Sequence, residues 1–196
     1  MTQYNLQINS PVDENYEHGF LPQRNNKNLF YQETSSRSNL HHFSLSSENR
    51  RIISKTTQYN YDFLPLADFT YSLSIKKTIN TWIHKLGWIF PMGSVKTIFN
   101  NHIFNYLYIW KNEQQQVIAY SICYFSEKIS HIAYVFYDPT YSHTNFPIRL
   151  TLQTVIDSQK RGLDYCYLGR FSKDSGYYKR TMPGFEYFKD NKWITL

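Results

Sequence analysis

Residues 129–168, ISHIAYVFYDPTYSHTNFPIRLTLQTVIDSQKRGLDYCYL, decide the fold. Ile129–Tyr137 is rich in β-branched and aromatic residues, which suit a pleated, half-buried surface. Asp138-Pro139 ends that strand, because proline offers no amide to a ladder and the pair favours a turn. From about Phe146 to Arg161 a helix is predicted, with Ile148, Leu152, Val155 and Ile156 as its buried stripe. Lys160 and Arg161 sit in its last turn and Gly162 just beyond, a stop signal. Leu163–Leu168 (LDYCYL) reads as a strand again. Strand, helix, strand over this length implies a right-handed crossover between parallel strands.

Working outward, Ile103–Trp110 (IFNYLYIW) and Val117–Phe125 (VIAYSICYF) are strand-like. The short polar links KNEQQQ and SEK join them and Ile129–Tyr137 into an antiparallel meander. Ile75, Ile79, Trp82, Ile83 and Leu86 form one helical stripe, with Ser72 or Ser74 as N-cap and Gly87 past the end. A short helix follows around Ser94–Asn101, SGYYKRTM (175–182) suggests another, and FEYF and KWITL flank KDN as a hairpin. Residues 1–14 read as a flexible tail. Residues 15–60 form a polar, mildly basic subdomain, with NLFYQ (28–32) as a short strand and SLSSENRRIISK (44–55) as a helix capped by Ser46 or Ser47. Residues 61–196 form the core. The economical assembly is an α/β mixed sheet flanked by helices, a layout that resembles the acyltransferase fold called GNAT.

The chain has 196 residues, 41% hydrophobic and 18% charged, enough for one domain that buries roughly two thirds of its unfolded surface. With 18 Tyr and 14 Phe it is no disordered chain. A net charge of +6 and pI near 9.1 suit a polyanionic partner. Cys123 and Cys166 lack C-x-x-C spacing and read as buried thiols in a reducing compartment. No apolar run approaches the roughly 18 residues of a membrane span, and MTQYNLQINSPVDEN has no signal-peptide regions. The expectation is a cytoplasmic protein with no metal and no membrane partner.

Several motifs occur in a fixed order. They are Tyr137-Asp138-Pro139, then Gly162-Leu163-Asp164-Tyr165-Cys166-Tyr167-Leu168-Gly169, then Tyr178-Lys179, then Glu186 and Asp190-Asn191-Lys192-Trp193. Upstream stand Phe43 and Ser46-Ser47-Glu48-Asn49-Arg50-Arg51, an F-x-x-S-x-x-x-R-R element. Taken together this set resembles the arginyl/leucyl-tRNA–protein transferases. The stretch YQETSSRSNLHH (31–42) has no cysteine where that family carries a Cys cluster, so no iron–sulfur function carries over.

The resemblance implies transfer of an amino acid, Arg or Leu, from aminoacyl-tRNA to a protein or peptide amine, with no cofactor. That reaction is attack of an amine on an activated ester. It needs positioning and oxyanion stabilisation more than a strong base. On this reading Tyr178, Lys179, Glu186 and Asp138 are catalytic, Tyr137, Tyr167 and Gly169 line the substrate cleft, and Arg50, Arg51, Lys55 and Arg170 meet tRNA phosphates. Each has a plainer reading: a solvated basic helix for Arg50 and Arg51, a paired strand carboxylate for Glu186, a turn for Asp138, core packing for the tyrosines and for His131. An acyl-CoA N-acyltransferase shares the fold, but its pyrophosphate needs a glycine-rich loop at a helix N-terminus. The corresponding stretch here, TYSHTNFPIRLTL (140–152), has no glycine, and Pro147 removes an amide. A homologue that binds tRNA or a protein without turnover is the non-enzymatic alternative.

Overall fold

The structure is a computed structural model and describes residues 12–24, 26, 28–91, 93–100, 103–172 and 176–196. Its helices are α1 (Val12–Glu17), α2 (Ser47–Ser54), α3 (Leu73–Lys85), α4 (Ser94–Asn100) and α5 (Phe146–Lys160). Its strands are β1 (Phe20–Pro22), β2 (Phe30–Gln32), β3 (Ser35–Asn39), β4 (Asn60–Pro65), β5 (Tyr106–Lys111), β6 (Val117–Phe125), β7 (Ile129–Tyr137), β8 (Tyr165–Arg170), β9 (Phe185–Lys189) and β10 (Lys192–Thr195). The last eight strands form one sheet in the order β10-β9-β3-β8-β7-β6-β5-β4. β7 and β8 are parallel, joined through α5, and the other neighbours are antiparallel. The expected mixed sheet, meander and closing hairpin are all present. Asp190 and Asn191 both take positive φ, as a two-residue hairpin turn matched to strand twist requires.

Three expectations are corrected. Of the predicted tail 1–14, residues 1–11 lie outside the described residues, but Val12–Glu14 belong to α1. Asp13 there accepts hydrogen bonds from Tyr124 (2.9 Å) and Ser126 (2.7 Å). The segment 15–60 is not a subdomain packed on the core. Its β3, sequence SSRSN, runs between β8 and β9 near the middle of one end of the sheet, and β4 begins at residue 60. β3 carries no apolar side chain, and its burial is offset by hydrogen bonds such as Ser36 Oγ to Gly169 O at 2.8 Å. Finally, α5 turns Phe146, Leu150, Leu152 and Val155 to the sheet, while Ile148 and Ile156 are only half-buried.

Helices cover both faces. On one, α2 and α5 close over Tyr108, Trp110, Ile132, Cys166 and Leu168. On the other, α3 and α4 cover Leu107, Ile122 and Phe136, and α1 with the β1–β2 hairpin covers Ile129 and Tyr167. Both cysteines are buried free thiols, with their pKa raised by burial. No helix among the described residues is long and apolar enough to cross a membrane.

Candidate functional site

The parallel pair is short. β7 and β8 match at Ile129–Tyr165, Ser130–Cys166 and His131–Tyr167, and then part. Both strands are irregular where they separate. The register of β7 on β6 shifts across Ala133, and that of β8 on β3 shifts across Leu168. Such bulges bend a strand and increase its twist, so the two together open a notch. Gly169 stands on its rim at φ +78°, a conformation that side-chain-bearing residues rarely adopt. A Cβ there would lie 3.6 Å from His131 Nε2 and 3.7 Å from Lys179 Nζ, so the missing side chain leaves a gap between imidazole and ammonium.

Tyr178 and Lys179 reach the notch from a 3₁₀ turn, Tyr177–Thr181. Asn49 of α2 ties that turn down by donating from Nδ2 to Thr181 O at 3.0 Å. α2 itself is set by a capping box: Asn49 N donates to Ser46 Oγ and Ser46 N to Asn49 Oδ1. Lys179 Nζ donates to Arg170 O at 2.7 Å. No carboxylate among the described residues pairs with this ammonium, and burial pulls its pKa down to about 8. Tyr178 keeps 39% of its surface exposed but turns its hydroxyl onto Thr151 Oγ1 of α5 at 3.1 Å. Burial of that end raises its pKa, so it remains a neutral phenol at physiological pH. Tyr137, at the end of β7, adds to that rise by its proximity.

The far mouth of the notch is a small cavity of about 170 Å³ lined by His131, Tyr134, Gly169, Arg170, Arg24 and Tyr31, among others. His131 is held from behind: the Tyr16 hydroxyl and His131 Nδ1 share a hydrogen bond of 2.7 Å, and burial raises the pKa of Tyr16. Sequence reading passed over Arg24, Tyr31, Ala133 and Tyr134 and took His131 as packing. The β7 bulge at Ala133 and the β1–β2 segment meet there, and no residue pattern announces it. A larger concavity of about 600 Å³ lies at the opposite, paired end of β7 and β8, among Asp13, Glu14, Glu17, Glu127 and Asp164. It is remote from the parting of the strands, and Asp13 is already engaged by Tyr124 and Ser126.

Gly169, Tyr178, Lys179 and Tyr137 are therefore brought together, and Arg170 joins them through its backbone. Its guanidinium turns to Glu33 at 3.5 Å. Glu186 is not brought to the notch: it is buried, accepting from Arg37 Nε at 2.7 Å and from Asn39 Nδ2 at 2.9 Å, as the plainer reading of a paired strand carboxylate expects. Asp138 is likewise a turn residue, its carboxylate accepting from Thr140 N at 3.0 Å and Thr140 Oγ1 at 2.9 Å. Tyr167 is 1% exposed, packed between Tyr16 and Trp193, and what surface it keeps borders the larger concavity at the paired end of the strands, not the small cavity of the notch. Arg50, Arg51 and Lys55 are exposed on or just after α2, beside the start of α5. Arg50 bonds Leu45 O, and Arg51 pairs with Glu48 and reaches Asn145 Oδ1 at 3.4 Å. At the first turn of α5, Phe146 N donates to Thr144 Oγ1 at 3.1 Å and Pro147 has no N–H, so few amides are left for a phosphate. No three His, Cys, Asp or Glu among the described residues gather as metal ligands would.

No family model matches the chain, and no curated protein matches it. Solved structures do match. The C-terminal domain of a protein assigned as a lysylphosphatidylglycerol synthetase from Agrobacterium fabrum aligns with TM-score 0.56 at 10% identity, over 70% of this chain and 46% of that one. The L-PGS structure from Bacillus licheniformis aligns with TM-score 0.52 at 10% identity, over 87% and 55%. A GCN5-related glucosamine N-acetyltransferase region of a fungal multi-domain β-N-acetylglucosaminidase gives 0.51 at 12% identity, over 79% and 19%. The chain thus spans about half, or less, of the proteins it matches. At these identities the likeness is one of fold: the chain has the GNAT acyltransferase fold. It does not single out the arginyl/leucyl-tRNA–protein transferases.

Proposed function

We propose that the chain is an acyltransferase that moves an aminoacyl group from aminoacyl-tRNA to a protein or peptide amine in the notch between β7 and β8. The observation that carries this reading is the half-buried Lys179 ammonium, without a carboxylate partner among the described residues, where the two strands part. In aminolysis the amine nitrogen bonds to the ester carbonyl carbon, and the carbon–oxygen bond to the ribose breaks. The amine's proton ends on the released hydroxyl. Negative charge collects on the carbonyl oxygen in between, and a preorganised cation in a partly dry site stabilises it. Lys179, charged at pH 7 and held by Arg170 O, is the donor to that oxygen. Tyr178, fixed by Thr151, orients the ester beside it.

The poor supply of amides at the start of α5 favours a donor other than CoA, and the exposed arginines of α2 beside it suit a tRNA 3′ end. One neighbour in fold is named as a synthetase of lysylphosphatidylglycerol, an aminoacyl ester of a phospholipid, which agrees with an aminoacyl donor. The test is incubation of the protein with a pool of radiolabelled aminoacyl-tRNAs and peptides of varied N-terminus. Label entering acid-stable peptide, and lost in Lys179→Met, is the expected result. Transfer from acetyl-CoA with none from any aminoacyl-tRNA would overturn the reading, and salt-sensitive tRNA binding without any transfer would leave a binding protein.

A further inference from the structure

After α3, Leu86–Pro91 (LGWIFP) consists of apolar residues and glycine, yet this corner leading towards α4 faces outward. Ile89 is 98% exposed and Trp88 40% exposed. The corner is well anchored on both sides of Ile89. Gly87, at φ +67°, closes α3, with Gly87 N donating to His84 O and Trp88 N to Ile83 O. Trp88 then packs edge-on against Tyr137 at 5.7 Å, and Phe90 packs against Phe136 at 5.5 Å under the Arg24 guanidinium. Ile89 is thereby presented between two pinned aromatics.

The chain running through the corner carries charge of one sign. No Asp or Glu occurs between Asp68 and Glu113, whereas five lysines do. Lys77 and Lys85 are exposed on α3, and Lys96 is exposed on α4. Exposed Trp and Ile at the tip of a rigid corner, flanked by lysines, match an interfacial anchor on an anionic bilayer. The apolar tip enters the acyl boundary, Trp sits at headgroup level, and the lysines meet phosphates. A nucleic acid would account for the lysines but gives Ile89 nothing to bury against.

We infer that the α3–α4 corner docks this protein on an anionic lipid surface, which sets the Tyr137 side of the notch against the bilayer. This runs against the earlier expectation of no membrane partner, and it does not depend on the acyl-transfer reading. The test is co-sedimentation of the full chain with vesicles of phosphatidylglycerol and phosphatidylcholine, against phosphatidylcholine alone. Binding to the anionic vesicles only is expected, weakened about tenfold or more by Ile89→Asp. Lys77→Gln or Lys85→Gln should cost roughly fivefold each. Circular dichroism of Ile89→Asp should be unchanged, since the side chain touches solvent alone. Failure to bind anionic vesicles, or binding that Ile89→Asp leaves intact, overturns the inference. So does an oligomer that Ile89→Asp dissociates, which would make a second copy the occupant, or tRNA binding that falls in the lysine variants while vesicles are ignored. Transfer to a soluble peptide by Ile89→Asp reports separately on the notch.

Discussion

Two cations flank the β8 end of the sheet, and they live in opposite circumstances. Arg37 on β3 is sandwiched between the rings of Tyr165 (3.7 Å) and Trp193 (4.0 Å), bound to Glu186 and near the Tyr167 hydroxyl at 3.4 Å. Lys179, on the other side of Gly169, has a backbone carbonyl and, among the described residues, no counter-ion. The fully satisfied cation holds strands together and has nothing left to offer a substrate. The half-satisfied one raises the energy of the folded state, and its spare hydrogens are available to a developing negative charge. Burial alone does not tell structure from chemistry, whereas the completeness of the partner set does.

Breaking the first member of this comparison should have the largest effect. Arg37→Met strands Glu186 in the interior and should cost about 3–5 kcal/mol in denaturant unfolding. Transfer per folded molecule should stay near wild type. A collapse of transfer in the folded fraction would mean that Arg37 also serves the notch. Lys179→Met should reverse this pattern. Transfer should fall roughly 10²–10³-fold in single-turnover assays, with Tm equal to or above wild type. Its folded pKa of about 8 lies below the ordinary 10.5, so the unfolded chain binds more protons between those values and stability rises with pH there. The stability gap between Lys179→Met and wild type should therefore be widest below pH 8 and close towards 10.5. The same titration should give the pH–rate profile a falling limb near 8, which Lys179→Arg removes because guanidinium keeps its charge. Tyr178→Phe, which loses one hydrogen bond to Thr151, should cost about 1 kcal/mol and change KM more than kcat. Smallest is Arg51→Gln. Its guanidinium is already matched by Glu48, so the salt dependence of tRNA binding should flatten by less than one contact's worth.

The two sides of this comparison were unequally legible in the sequence. β6, β7, α5 and β8 announce themselves because burial of apolar side chains leaves a period in the chain. β3 does not: its five residues are polar, and its place is set by Ser36 on Gly169 and Arg37 on Glu186, partners 133 and 149 positions away. For that reason the pairing of Glu186 with Arg37 could not be read from the sequence. Tyr178 and Lys179 stood out only through resemblance. His131, Arg24 and Tyr134 meet at a shared space that depends on a strand irregularity, which composition and spacing do not encode.

The insertion of β3 between β8 and β9 also bears on how the chain is made. A ribosome delivers β3 long before either of its neighbours exists, while the β4–β7 meander has partners close at hand and can form as it emerges. Until β8 and β9 arrive, β3 is an unpaired edge carrying a lone guanidinium, open to pairing with another nascent chain. Closure of the sheet around it is expected to be the slow, late step of folding, and the one a chaperone would have most reason to guard.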